Sequence, residues 1–184
     1  KAEGSQPLLR NLRVSNVKSM PIRLILLLVS LATLPLAAQQ TPAPPDPRLA
    51  GLKKAVLADI DARSTFTQQM VDQLFSYGEL GFQEVETSKY LVALLRKEGF
   101  TVQEGYAGIP TAWVATWGTG KPVIALGADI DGIPQASQKP GVACRAPLIP
   151  GAPAHGEGHN AGQAVNITAA LAIKQIMERE HLPG

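Results

Sequence analysis

The stretch Lys121–Asp131, KPVIALGADID, decides the fold that the sequence predicts. Val123–Leu126 is an unbroken apolar run, typical of a strand covered on both faces, so we expect a buried strand over Lys121–Leu126. Asp129 and Asp131 follow directly, at the carboxyl end of that strand, where open α/β sheets place their functional sites.

These two aspartates point to the same side of an extended backbone, because they lie two residues apart. Two converging carboxylates repel each other unless a cation or a proton separates them, which makes Asp129 and Asp131 a candidate cation site. The alternative is a solvated loop with Asx turns leading into Gly132 and Pro134. The pair by itself leaves both interpretations open.

Further elements are predicted on both sides of this strand. Apolar spacing and turn residues indicate one or two helices over residues 49–76 and another helix over 84–98. Two short strands follow, over 101–104 and 111–117, and a last helix covers 161–180. Gly118–Lys121 fits a hairpin turn between strands. This order predicts an α/β fold with a mixed sheet.

A second polar cluster, His155-Gly156-Glu157-Gly158-His159-Asn160, precedes the last predicted helix. In an extended backbone its two histidines and its glutamate share one face, and the glycines allow close approach to an ion. Imidazole and carboxylate suit zinc, with cobalt or manganese as substitutes. Asn160 is expected to cap the helix, whose N-terminus would favour an anionic group of a substrate. The alternative, which this motif alone slightly favours, is a flexible glycine loop with exposed histidines.

Composition excludes several classes of protein. The chain has 184 residues, 45% of them hydrophobic, which suits one packed domain and not a disordered chain. The single cysteine, Cys144, excludes an intramolecular disulfide framework and a cysteine-rich zinc module. Residues 1–40 have a larger positive net charge than the whole chain, whose net charge is +2. The region from 41 onward is therefore mildly acidic and is not expected to bind nucleic acid.

The N-terminal region predicts export. A short basic start at Met20 leads into an apolar stretch too short for a comfortable membrane span, so residues 20–38 are predicted to be a secretory signal peptide. Residues 1–19 are then translated upstream sequence, 39–48 a proline-rich linker, and 49–184 the domain proper. We expect a periplasmic or secreted protein without a stable membrane anchor after cleavage; the alternative is an uncleaved N-terminal anchor.

Taken together, the motifs resemble the metal-dependent aminoacylase and carboxypeptidase family of amidohydrolases, and within it the aminobenzoyl-glutamate hydrolase branch. The resemblance covers about residues 50–184 and is carried by Glu79–Glu84, Lys97–Phe100, Ala107–Ala112, Gly118–Ala125, Ala128–Asp131 and His155–Asn160. It implies a zinc-hydrolase αβα sandwich with a mixed central sheet, normally interrupted by a lid and dimerisation domain. It also implies two metal ions, usually zinc with manganese or cobalt possible, that activate water to attack an amide carbonyl.

The resemblance assigns roles to individual residues. His159 matches a metal ligand, and Glu157 stands where the nearest branch usually has cysteine, from where it could bridge two ions. Asp129 stands at a ligand position where many relatives have histidine, and Asp131 matches the aspartate that orients that ligand in catalysis. His155 is expected beside the metal and not bound to it.

The same resemblance predicts an incomplete site. No acidic pair suited to the general base follows His159, since Glu178 and Glu180 end the last predicted helix, and a further ligand histidine and the lid domain are missing. We therefore expect an N-terminal fragment, inactive by itself, of an enzyme that cleaves small amides or peptides bearing a carboxylate and that forms a homodimer at full length. The alternative is a non-catalytic member of the same fold that binds a ligand or peptide, or acts as a scaffold.

Overall fold

The first three helices form from the sequence signals expected of them. The computed structural model describes residues 46–184. Helix α1, Pro47–Ala62, begins at the cap residue Asp46, whose carboxylate accepts a hydrogen bond from the Arg48 N–H at 2.9 Å. Helix α2, Ser64–Tyr77, ends at Gly78 in the left-handed conformation, and α3 covers Val85–Lys97. The region predicted as one or two helices is thus two, separated by Arg63.

Two short strands and a long helix complete the described elements. Strand β1, Thr101–Glu104, pairs antiparallel with β2, Trp113–Thr116, in a register that places Thr101 opposite Thr116. Helix α4 covers His159–Glu180. The predicted helices and these two strands are confirmed, with ends that coincide or differ by one or two residues.

The core lies where α2, α3 and α4 meet. Its buried side chains repeat at helical spacing on each of the three helices and are Met70, Leu74, Leu91, Leu95, Ala164, Ile167 and Leu171. Removing a leucine-sized side chain from water contributes about 1.5–3 kcal/mol, so these contacts dominate the stability of the described unit. One face of β1 and β2 packs on the same core through Val102, Trp113 and Ala115.

The predicted buried strand over Lys121–Leu126 is wrong for the described residues. The sheet has only β1 and β2, and Val123 and Ile124 are 82% and 75% exposed. The predicted hairpin at Gly118–Lys121 is also absent, because no strand follows β2 within residues 46–184, and the Gly120 N–H donates to the carbonyl of Gly184 at 2.8 Å. A central strand needs partners for its backbone and a layer over each face, and residues 46–184 supply neither. The fold is a mixture of helices with a two-stranded antiparallel sheet, which is compatible with the α/β class; the full sandwich remains a prediction.

The predicted signal peptide, the upstream segment and most of the predicted linker lie outside the described residues. Helix α1 starts at Pro47, two residues before the predicted domain start. Within residues 46–184 no helix is both long enough and apolar enough to cross a bilayer.

Candidate functional site

The backbone around Gly132 brings the two predicted clusters together. The Gly132 N–H donates to the Glu79 carbonyl at 2.6 Å, and Ile133 forms an isolated antiparallel bridge with Ala154. A Cβ at position 132 would lie 2.9 Å from the Ala154 carbonyl oxygen, so only glycine fits without a shift. Asp131 therefore lies next to the segment that leads from Ala154 to His159.

The turn after α2 forms one wall beside Asp131. Both carboxylate oxygens of Glu79 accept backbone N–H groups of the first turn of α3, from Glu86 and from Thr87, each at 2.9 Å. This satisfies two of the donors that a helix start leaves unpaired. A Cβ at position 81, which is glycine, would lie 3.5 Å from the Asp131 carboxylate, so the turn is in contact distance of the site. Sequence reasoning identified Glu79 only as part of a motif and missed its capping role.

His159, the first residue of α4, is held by carboxylates on both sides of its ring. Its Nδ1 lies 3.0 Å from the Asp131 carboxylate, 3.1 Å from the Asp131 carbonyl and 3.4 Å from the Glu157 carboxylate. Its Nε2 faces the Asp129 carboxylate at 3.9 Å. A proton on Nδ1, donated to Asp131, leaves the Nε2 lone pair directed toward Asp129.

The acidic surroundings raise the pKa of His159 above its usual value. Burial acts in the opposite direction, but the Asp131 carbonyl and the charges of Glu157 and Asp131 outweigh it. The protonated ring is therefore stabilised in the fold.

Glu157 folds back onto its own backbone. Its carboxylate accepts the Gly156 N–H at 2.9 Å and the His159 N–H at 3.1 Å, and it lies 3.3 Å from His155 Nδ1. Burial raises the pKa of this carboxyl group, but the backbone and histidine hydrogen bonds prevail and lower it to about 2. The N-terminus of α4, which the sequence predicts as a site for an anionic substrate group, thus already has an intramolecular carboxylate.

His155 and Asn160 differ in how well the sequence predicts them. The His155 side chain is 1% exposed and its Nε2 has no hydrogen-bond partner, so it is not the exposed loop histidine of the alternative interpretation. The prediction that Asn160 caps the last helix is wrong, because the helix starts at His159, two residues earlier than predicted, with Gly158 as the cap residue. The Asn160 side chain instead donates to the Val71 carbonyl of α2 at 3.4 Å.

Two donor atoms of the cluster, and not three, lie close enough together to contact one metal ion. His159 Nε2 and Asp129 Oδ2, 3.9 Å apart, are close enough for one ion to contact both at about 2.0–2.2 Å. Glu157 lies on the Nδ1 side of the same ring, with its oxygens engaged by backbone N–H groups. Within residues 46–184 no three histidine, cysteine or acidic side chains converge on one ion position.

The acidic residues at the far end of α4 stay apart from this cluster. Glu178 pairs with Lys174 at 2.8 Å, and Glu180 pairs with Arg179 at 2.8 Å. They end a helix of 22 residues that begins at His159, so about 30 Å separates them from the site. Neither residue can act as a general base there.

Comparison with known proteins identifies relatives of the same class that the motifs indicate. The chain is 36% identical over 110 residues to one of the subunits of p-aminobenzoyl-glutamate hydrolase of Escherichia coli, a match that covers 60% of this chain and 23% of the relative. It is 41% identical over 68 residues to thermostable carboxypeptidase 1 of Saccharolobus solfataricus, covering 36% of this chain and 17% of that protein. The resemblance drawn from the motifs is confirmed: the chain is related to the amidohydrolase and peptidase family of these proteins.

These matches have a limited extent. The chain spans less than a quarter of the length of either curated relative. No family model matches the sequence, and no solved structure matches it.

Proposed function

We propose that this chain contributes part of the active site of a metal-dependent amidohydrolase that cleaves N-acyl amino acids or small peptides, aminobenzoyl-glutamate among them. The observation that carries the proposal is the position of His159 between Asp131 on Nδ1 and Asp129 on Nε2. A carboxylate on Nδ1 orients the ring and makes Nε2 more basic, which is the arrangement that metal-binding histidines have in proteins. The names of the two relatives, a hydrolase of an amide and a carboxypeptidase, support the same class of reaction.

In this proposal the ligands are His159, Asp129 and Glu157, and Asp131 is the orienting residue. These residues would hold a divalent ion, zinc or alternatively manganese or cobalt, whose chemistry when bound would be to activate water for attack on an amide carbonyl. Glu157 would hold the ion only after leaving the backbone N–H groups of Gly156 and His159, which its carboxylate accepts in this structure.

The proposal leaves the general base and further ligands to residues outside this sequence. The acidic residues that follow His159 are at the opposite end of α4 and are paired with neighbouring cations. We therefore propose that the 184-residue chain binds metal but does not turn over amides by itself. The name of the Escherichia coli relative describes one subunit of a hydrolase, which supports an assembly of more than one chain for the complete enzyme.

A second candidate function is supported by the orientation of Glu157. Its carboxylate faces the backbone, and residues 46–184 do not form a three-ligand site. A non-catalytic member of the family that binds an amide or a peptide without metal would have this arrangement. Binding of N-acyl amino acids that persists with a strong chelator present would favour this function.

Zinc titration of the purified chain by calorimetry tests the leading proposal. We expect one zinc ion to bind, and His159→Gln to weaken its binding at least about tenfold because a ligand is lost. Asp129→Asn and Glu157→Gln should each weaken it as well. His181→Gln is the matched control, since His181 is an exposed histidine at the other end of α4.

Two results would contradict the proposal. Zinc binding that is unchanged in His159→Gln would place the metal elsewhere. Amide hydrolysis by the chain alone, abolished by a chelator, would show that the general base lies within these residues.

Export is proposed from residues 20–38 alone, and fractionation of expressing cells tests it by locating the processed chain.

A further inference from the structure

His155 is a buried histidine to which the proposed function assigns no role. Its side chain is 1% exposed, so the ring is enclosed by the surrounding protein. Its Nδ1 lies 3.3 Å from the Glu157 carboxylate, and its Nε2 has no hydrogen-bond partner within residues 46–184. Leaving a buried polar atom unpaired is unfavourable, so an apolar side chain of similar size would avoid that cost at this position. Packing alone therefore does not account for the histidine.

The contact at Nδ1 joins His155 to a carboxylate that is otherwise held by the backbone. The Glu157 carboxylate accepts the backbone N–H groups of Gly156 and His159, at 2.9 Å and 3.1 Å. The His159 ring is also near, at 3.4 Å, but its Nδ1 lies closer to Asp131, at 3.0 Å. Among the described residues, His155 is thus the side chain that holds Glu157 in place, and it is the part of this arrangement that a substitution can remove.

The contact requires one arrangement of the His155 ring. A carboxylate only accepts hydrogen bonds, so His155 Nδ1 must carry a proton and donate it to Glu157. A hydrogen bond to an ionised acceptor is stronger than one between neutral groups. Because the ring is buried, water does not compete for its Nδ1–H group. The bond therefore favours the position that Glu157 has in this structure over any position in which the carboxylate turns away.

We propose that His155 is a positioning residue that holds the Glu157 carboxylate on the backbone of Gly156 and His159, on the Nδ1 side of the His159 ring. Asp129 lies on the other side, where its carboxylate faces His159 Nε2 at 3.9 Å. Glu157 must leave His155 before it can join those two donors. The contact therefore opposes metal binding, a consequence that rests on the proposed function, whereas the effect of His155 on the metal-free chain does not.

Three substitutions separate the hydrogen bond of His155 from its packing. His155→Leu and His155→Met remove the donor and fill the volume of the ring with apolar atoms. His155→Asn keeps a donor, because its amide nitrogen is as many bonds from Cα as Nδ1 is. The two apolar variants should stay folded in thermal unfolding, since the loss of one hydrogen bond is offset by the loss of the unpaired Nε2 atom. If neither of them folds, His155 is required by the fold itself, and the proposal is overturned.

Hydrogen exchange measures how firmly Glu157 is held in the metal-free chain. The amides of Gly156 and His159 donate to its carboxylate, so their exchange rates report its release. Both rates should rise at least about threefold in His155→Leu and His155→Met, toward the rates in Glu157→Ala, because a hydrogen bond to a charged group is lost. His155→Asn is the matched control and should exchange like the original chain. Unchanged rates in the two apolar variants contradict the positioning role.

Zinc titration by calorimetry measures the effect of the contact on metal binding. His155→Leu should bind zinc at least about threefold more tightly than the original chain, because Glu157 has one bond fewer to break. Adding Glu157→Gln should abolish this gain, since the gain acts through the Glu157 carboxylate. His155→Asn should bind zinc like the original chain. A gain that persists in the double variant, or zinc affinity that is unchanged or lower in His155→Leu, overturns the proposal.

Failure of the proposed function gives a different set of results. A chain that binds no zinc, or that binds it equally well after His159→Gln, contradicts the ligand set and not the contact between His155 and Glu157. The exchange rates of the Gly156 and His159 amides, measured without metal, then decide the positioning role by themselves. Faster exchange in the two apolar variants supports it, and unchanged exchange overturns it.

Discussion

His159 is the residue through which the two predicted clusters meet. Its Nδ1 is directed to Asp131 and its Nε2 to Asp129, although 28 and 30 residues separate them in the sequence. The nearby negative charges and the Asp131 carbonyl raise its pKa. A histidine with a raised folded pKa stabilises the fold fully below its unfolded value of about 6.5, and this contribution is lost as the pH rises through the folded pKa.

Removing the charge of Asp131 should lower the pKa of His159. In Asp131→Asn the electrostatic contribution disappears while the backbone carbonyl of residue 131 remains, so the pKa moves toward its ordinary value without reaching it. Proton NMR of the ring, measured without added metal, follows this change. Asp129→Asn is the control and should shift the pKa less, because the Asp129 carboxylate is exposed and more distant. An unchanged His159 pKa in Asp131→Asn would contradict the assigned contact.

Glu157 should contribute stability that depends on its charge. Its folded pKa of about 2 lies below the ordinary value, so its contribution is complete above about pH 4.5 and is lost as the pH falls toward 2. Glu157→Ala removes a carboxylate that accepts the backbone N–H groups of Gly156 and of His159, the first residue of α4, and should cost about 1–2 kcal/mol at pH 7.

Urea unfolding at pH 7 and at pH 2 measures this difference in the free energy of unfolding. The gap between Glu157→Ala and the original chain should narrow at the lower pH, where the carboxyl group is partly protonated. Glu86→Ala, a change at an exposed glutamate in the first turn of α3, is the control at both pH values. A gap that is constant with pH would contradict the charged capping interaction.

Among the elements, helical periodicity predicted the helices correctly, whereas two of the three predicted strands are present in residues 46–184. The helices bury one face against each other, and residues three or four apart in sequence carry that pattern. Strands β1 and β2 were predicted from their own sequences, and the structure adds that they pair with each other, close together in the chain. The apolar run at Val123–Leu126 has the composition of a strand, but a strand exists only with a partner, which its own sequence does not specify.

The Glu79–Glu84 motif stabilises the start of α3, the helix that follows it. Replacing Glu79 by alanine removes two charge-assisted hydrogen bonds to the N-terminus of α3 and should destabilise the protein by about 1–2 kcal/mol. Glu79→Gln should cost less, since an amide oxygen can still accept one of the two N–H groups. Hydrogen exchange at the amides of Glu86 and Thr87 should increase in both variants, and unchanged exchange would contradict the capping role.

At the scale of the whole molecule, the candidate site depends on a few long-range backbone contacts. The Gly132 N–H bond to the Glu79 carbonyl and the bridge between Ile133 and Ala154 bring Asp131 to the start of α4. The sequence indicated that both clusters could bind a cation, but each had an alternative interpretation as a solvated loop. Only the tertiary contacts decided that they share one place.

The three helical regions, the two strand segments, the family relationship and the residue types of the candidate site could be predicted from the sequence, because these depend on local periodicity and on motifs of a few residues. The tertiary structure decided that Asp131 orients His159, that Glu157 turns to the backbone, that His155 is buried, and that Lys121–Leu126 is exposed. These features depend on which distant groups compete for the same hydrogen-bond donors and which surfaces are covered. Short segments of sequence do not contain that information.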